Sequence, residues 1–141
     1  MATTGHTPID EAPQVVAEWL NLLCDDLDWI EHRRAYLLLS ETLHAVRDYL
    51  TVDEAVDLAA QLPMIIRGLY FTGWNPSGTP VHPRSKEAFL DRVSSAFDKE
   101  PLENTEEAVI AVFDLLRRKV SPGEIAHVSQ SMRGSLQQLW K

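Results

Sequence analysis

Displaced by seventy positions, the chain matches its own apolar pattern without a gap. Trp19 falls on Phe89, Leu23 on Val93, Leu27 on Phe97, Leu39 on Val109, Leu43 on Phe113 and Leu50 on Val120. The phase then continues from Leu58/Val128 through Leu62/Met132, Ile66/Leu136 and Leu69/Leu139 to Tyr70/Trp140. A helix-start signal recurs as well, Thr51-Val52-Asp53-Glu54 over Ser121-Pro122-Gly123-Glu124. Identities are few (Leu20/Leu90, Asp28/Asp98, Arg47/Arg117, Glu54/Glu124 and Leu69/Leu139), so the shared property is the spacing of apolar residues. Such a repeat predicts two copies of one supersecondary unit packed on each other. It restricts architecture and leaves activity open.

The spacing within each copy is helical. Val16, Trp19, Leu20, Leu23 and Leu27 form one stripe, predicting a helix over about 10–28 with Pro13 in its first turn. Tyr36, Leu39, Leu43, Val46 and Leu50 predict a second over about 31–49. Thr51 and Glu54 form a capping box for a third. Pro63 must kink that helix or stop and restart it, because proline lacks an N–H and its ring clashes with the preceding turn. Residues 72–84 hold three prolines in a Gly/Pro-rich run and read as a linker. Three more helices are expected, over about 85–98, 104–119 and 122–140, the last started by Ser121, Pro122 and Glu124. No stretch alternates with period two, so the expected class is all-α. The expected architecture is a six-helix bundle of two pseudo-equivalent three-helix repeats, residues 10–71 and 85–141, sharing one globule, with residues 1–9 a disordered arm.

Charge divides the copies sharply. Residues 1–70 carry 4 Lys+Arg and 12 Asp+Glu, and 4 − 12 = −8; residues 71–141 carry 9 of each. The whole net charge of −8 therefore sits on the first copy. An acidic chain repels phosphate backbones, so nucleic acid is not an expected partner. The run Arg117-Arg118-Lys119 reads as cations at a helix's negative end. No apolar run approaches the roughly 18 residues a membrane span needs, and the start of the chain lacks the basic and apolar regions of a signal peptide. With one cysteine, Cys24, no internal disulfide can form. The expected location is the cytoplasm.

The segment Ala60-Gln61-Leu62-Pro63-Met64-Ile65-Ile66-Arg67-Gly68-Leu69-Tyr70-Phe71-Thr72-Gly73-Trp74, with Phe89-Leu90-Asp91-Arg92-Val93 opening the second half, resembles the bacterial domain-of-unknown-function family 2267. The resemblance runs from about Trp19 to Trp140. It implies an all-helical bacterial protein without an assigned activity. One departure stands out: Ser131-Met132-Arg133 occupies the place of a second Gln-Leu-Pro.

Motifs for chemistry are weak. Two Glu-x-x-His pairs, Glu41/His44 and Glu124/His127, have the spacing that di-iron bundles use. They do not coincide under the overlay, they lie off the apolar stripes, and Glu124 doubles as a capping residue. The acidic run Asp25, Asp26, Asp28, Glu31 lacks the glycine of a calcium loop. Cys24 has acidic neighbours that oppose thiolate formation. No cofactor motif is present, and no catalytic residue is assigned.

Recognition by contact is the better-supported expectation. Trp74 lies in the linker and is expected to plug the bundle; the alternative is that it is exposed and forms an anchor set with Arg67 and Tyr70. At four overlaid positions the first copy is apolar where the second is charged: Leu22/Arg92, Trp29/Lys99, Ile30/Glu100 and Leu37/Glu107. Leu22, Trp29 and Leu37 are therefore candidate interface residues, for a homodimer or for another protein, the equal alternative being that asymmetric docking of the halves buries them internally. The expected function is a non-enzymatic protein–protein interaction or scaffold module. The alternative is a small-molecule pocket between the repeats near Trp74, with metal or enzymatic chemistry at the Glu-x-x-His pairs behind it.

Overall fold

A computed structural model describes residues 7–132 and 134–140, and all regular structure among them is helical. The α-helices are α1 (Thr7–Leu27), α2 (His32–Tyr49), α3 (Val52–Ala59), α4 (Met64–Phe71), α5 (Lys86–Ser95), α6 (Thr105–Lys119) and α7 (Pro122–Ser131). Two 3-10 segments, Pro76–Gly78 and Gly134–Trp140, complete the set. None of these helices is long and apolar enough to cross a membrane.

Helix boundaries follow local chemistry. Thr51 accepts from the Glu54 N–H while the Glu54 carboxylate accepts from the Thr51 N–H, so the expected capping box closes at the head of α3. Ser85, Asn104 and Ser121 cap α5, α6 and α7 in the same sense. Helix α1 starts at Thr7, three residues before the expected start at Asp10. Pro8 then occupies the first turn, where a missing N–H costs nothing, and Pro13 falls inside the helix. The end of α1 is set by Asp28 in the left-handed region (φ 57°), from which the Trp29 N–H reaches back to the Cys24 carbonyl. That is a Schellman closure with an aspartate in glycine's usual place.

Of the two outcomes expected at Pro63 the helix takes the stop and restart, and one further break corrects the expected six helices. Pro63 stops the third helix outright: Gln61 and Leu62 turn tightly back onto Leu58 and Ala59, and α4 restarts after Pro63. The last helix also breaks, although its copy has no second proline. Met132 leaves α7 in an extended conformation, Gly134 turns at φ 64°, and a 3-10 segment runs to Trp140. The part of the Gln-Leu-Pro departure that falls on Arg133 lies outside the described residues.

One core joins the seven α-helices and the Gly134–Trp140 segment. Trp19, Leu23, Leu38, Leu39, Leu43 and Leu50 from α1 and α2 bury with Phe89, Val93, Val109, Phe113 and Leu116 from α5 and α6. Tyr49, Phe89, Phe113 and Trp140 form a run of rings through it, with centroids 5.3, 5.9 and 3.9 Å apart and the last pair stacked. Thr42 is fully buried in this core and its hydroxyl has no hydrogen-bond partner among the described residues. A buried unpaired hydroxyl is destabilising. Thr42→Val, which places there the residue found seventy positions on at Val112, is expected to raise unfolding free energy by about 1 kcal/mol in urea titration. A loss of stability would show that the hydroxyl is satisfied.

Candidate functional site

The family-like segment 60–74 is held by arginines that bond to backbone. Arg67 donates from Nε to the Ala59 carbonyl (2.8 Å) and from Nη2 to those of Ala60 (3.3 Å) and Leu62 (2.9 Å). It thereby caps the negative end of α3. The end of α4 is satisfied more completely. Gly68 O accepts from the Thr72 hydroxyl, Leu69 O from His44 Nε2 (2.7 Å), and Phe71 O from the Trp74 N–H. Arg47 Nη1 supplies the carbonyls of both Tyr70 and Thr72, each at 2.9 Å.

Arg47 is only 3% exposed. Its remaining donors pair with Asp48, at 2.7 Å from Nε and 3.1 Å from Nη2, and Arg92 of α5 reaches the same carboxylate at 2.6 Å. The Asp48 carbonyl accepts from the Val81 N–H, which ties the linker to α2. Burial pushes the Asp48 carboxyl up, but the hydrogen bonds and charges of Arg47 and Arg92 outweigh it and hold the group below its ordinary value.

Gln61 bridges to the other half. Its amide donates to the Ser121 hydroxyl (3.0 Å) and accepts from the Ser121 N–H (2.8 Å), at the head of α7. At the far end of the same helix pair, Ser131 donates to Glu54. Helices α3 and α7 therefore lie antiparallel and are clasped at both ends. Between the clasps is a groove of about 450 Å³ lined by Glu54, Asp57, Arg84, Glu124 and His127. Burial raises the Glu124 carboxyl, with help from Asp57 and Glu54. Glu54 is lowered despite its own burial, because Ser131, Thr51 and Arg84 favour the anion.

The anticipated residues occupy varied positions. Tyr70 is fully buried, and its hydroxyl donates to the Ala55 carbonyl (2.9 Å). Burial pushes its phenol upward. Trp74 is half-buried against the core, with its ring 5.3 Å from that of Phe71. The exposure that an Arg67–Tyr70–Trp74 anchor set requires is therefore not met by Tyr70. Leu22, Trp29 and Leu37 are half-buried against the protein's own core. The two Glu-x-x-His pairs lie apart: His44 is engaged with Leu69 O, while Glu124 and His127 line the α3–α7 groove. Among the described residues no group of three or more His, Cys, Asp or Glu side chains is placed to hold a metal ion. Burial, with Asp25 beside it, raises the Cys24 thiol and disfavours a reactive thiolate.

Other features carry no local sequence signal. Arg34 is sandwiched between the rings of Trp29 (4.8 Å) and Phe97 (5.1 Å) and donates to the carbonyls of Glu100 and Pro101, which joins the α1–α2 turn to the α5–α6 loop. Arg118 pairs with Asp26, and Lys119 with Glu18 at 2.6 Å, so the basic end of α6 neutralises part of the acidic face of α1. Ile30, at the tip of the α1–α2 turn, is 95% exposed.

The described residues form an all-helical fold in which arginine side chains satisfy the carbonyl ends of α3 and α4. The chain belongs to the DUF2267 family, described as an uncharacterized conserved protein, whose model matches residues 16–139. A comparison with curated proteins finds no match.

The two arginines of segment 60–74 and its clamp differ in burial, and this ranks them. Arg47→Ala leaves Asp48 short of a partner and two carbonyls unpaired, and is expected to cost about 3–5 kcal/mol. Arg67→Ala exposes carbonyls that water can reach, and is expected to cost about 1 kcal/mol. Because the Asp48 carboxyl is lowered in the folded state, its contribution is present above the ordinary carboxylate range and is lost as pH falls through the depressed value. Asp48→Asn should therefore flatten the acid limb of the stability–pH curve. An unchanged limb would assign acid unfolding to other carboxyls.

Proposed function

We propose that this protein is a non-enzymatic interaction module whose working surface lies on its first half. One observation carries the reading. The large apolar side chains exposed among the described residues are Ile9, Ile30, Tyr36, Val52, Val56, Met64 and Ile65, all in the half that carries the net charge. Seventy positions on stand Thr79, Glu100, Glu106, Pro122, Ala126, Gly134 and Ser135, none of them a large apolar residue. Single exposed apolar residues are ordinary. Their confinement to one of two matched halves is not, and exposed apolar surface with a charged surround suits a partner protein.

The same reading treats the halves as diverged copies of one three-helix unit. In its support, α3 starts at Val52 and α7 at Pro122, α4 starts at Met64 and the last 3-10 segment at Gly134, and Leu50 and Val120 are equivalent extended C-caps. The α3–α7 clasp fits too. Ser131 overlies Gln61, and each reaches the cap at the head of the other half's helix, Gln61 meeting Ser121 and Ser131 meeting Glu54 of the Thr51–Glu54 box. An isologous dimer through the first halves would set like charge against like. A partner of different sequence avoids that repulsion.

The test is capture from the protein's host cell. Val56→Glu with Ile65→Glu should remove the co-purifying partner, whereas Ala126→Glu on the second half should retain it, each variant being checked for helicity. Retention by both variants, or loss only with Ala126→Glu, would overturn the assignment.

A further inference from the structure

The α1–α2 turn and the α5–α6 loop enclose a groove of about 870 Å³ between the halves. Its apolar part is Leu27, Trp29 and Leu102, each only partly buried against the core. Ile30, next in the chain to Trp29 at the tip of the same turn, does not line the groove and is 95% exposed. This is the largest single exposure among the big apolar residues described. An isoleucine so fully in water leaves its whole side chain available for burial against a partner.

The charges around the groove identify what would cover it. Asp28, Glu103 and Glu107 line it and make no ion pair among the described residues. Asp26 is already paired with Arg118, and Glu100 lies 3.7 Å from Arg34. Arg34, the one cation lining the groove among the described residues, is committed to two carbonyls and to the faces of Trp29 and Phe97. It is not free to receive an anion. The C-terminal end of α1 opens at the same place and adds partial negative charge. The uncompensated demand is for cations beside an apolar surface.

We propose that this groove docks an apolar, Lys/Arg-bearing segment of a partner protein, with an apolar side chain covering Ile30 and cations meeting Asp28, Glu103 and Glu107. The inference rests on the interaction reading above and names the chemistry of the partner. A small polyamine would satisfy the carboxylates and leave Ile30 in water. A second copy of this chain would bring an acidic half against an acidic rim.

The probe is a fluorescein-labelled Leu/Lys amphipathic peptide of about 14 residues, four helical turns, followed by anisotropy at about 150 mM salt. Leu/Glu and Ser/Lys peptides of equal length, and spermidine as competitor, are the comparators. The Leu/Lys peptide is expected to bind. Ile30→Ser, and separately Glu103→Gln with Glu107→Gln, should each weaken it about fivefold or more, the scale of an interface anchor. Asp53→Asn with Glu87→Gln removes the same charge from exposed sites elsewhere and should change affinity less than about twofold. Equal weakening by that control would reduce the effect to diffuse attraction and overturn the proposal. So would binding of the Ser/Lys peptide, or displacement by spermidine, that is insensitive to Ile30→Ser. Absence of peptide binding overturns this inference alone. The wider reading is decided separately by Val56→Glu/Ile65→Glu capture.

Discussion

A guanidinium buried in a helical bundle must have its donors satisfied, and this requirement organises the centre of the molecule. Arg47 meets it with two carbonyls at the end of α4 and both oxygens of Asp48. Each partner imposes a further constraint. The carbonyls fix where α4 stops, and Asp48 draws in Arg92 of α5 through its side chain and Val81 of the linker through its backbone. A charge this deep is weak evidence of net stabilisation, because its desolvation is costly. What its hydrogen bonds do is tie the end of α4 to α2.

The second organising contact is the α3–α7 clasp. Surface hydrogen bonds of this kind contribute little each, so their value is orientation. Gln61 and Ser131 hold opposite ends of an antiparallel pair, and the apolar residues between them, Ala55, Leu58, Ile125 and Val128, are buried. The Gln61-Leu62-Pro63 run thus has a structural account. Glutamine reaches the cap of α7, leucine enters the core, and proline starts α4.

Much of this was legible from residue spacing. The apolar stripes located the buried faces of α1, α2 and α6 except at Tyr36, which the α2 stripe placed inward and which is exposed; the Thr51 and Ser121 caps located two helix starts, and Pro63 located a break. The second break at Met132 was not legible, because no proline marks it and a glycine with positive φ appears only two residues later. Arg47 was not legible either: its burial depends on carbonyls some twenty-five residues away that periodicity cannot place. The candidate surface was partly legible. The charge asymmetry and the apolar surplus were visible, but Leu22, Trp29 and Leu37 turn partly into the core, while Ile30 turns outward. Which member of a surplus stays exposed is decided by how the halves dock, and spacing within one helix does not encode that.

The functional account places recognition on the acidic half and uses the neutral half as its support. Site-specific photo-cross-linking tests this most directly, with a photoreactive residue replacing Ile30 or Ile65 on one half and Ala126 or Ser129 on the other. The account predicts a partner adduct from the first pair of positions and none from the second. Adducts confined to positions 126 and 129, or equal from all four, would contradict it.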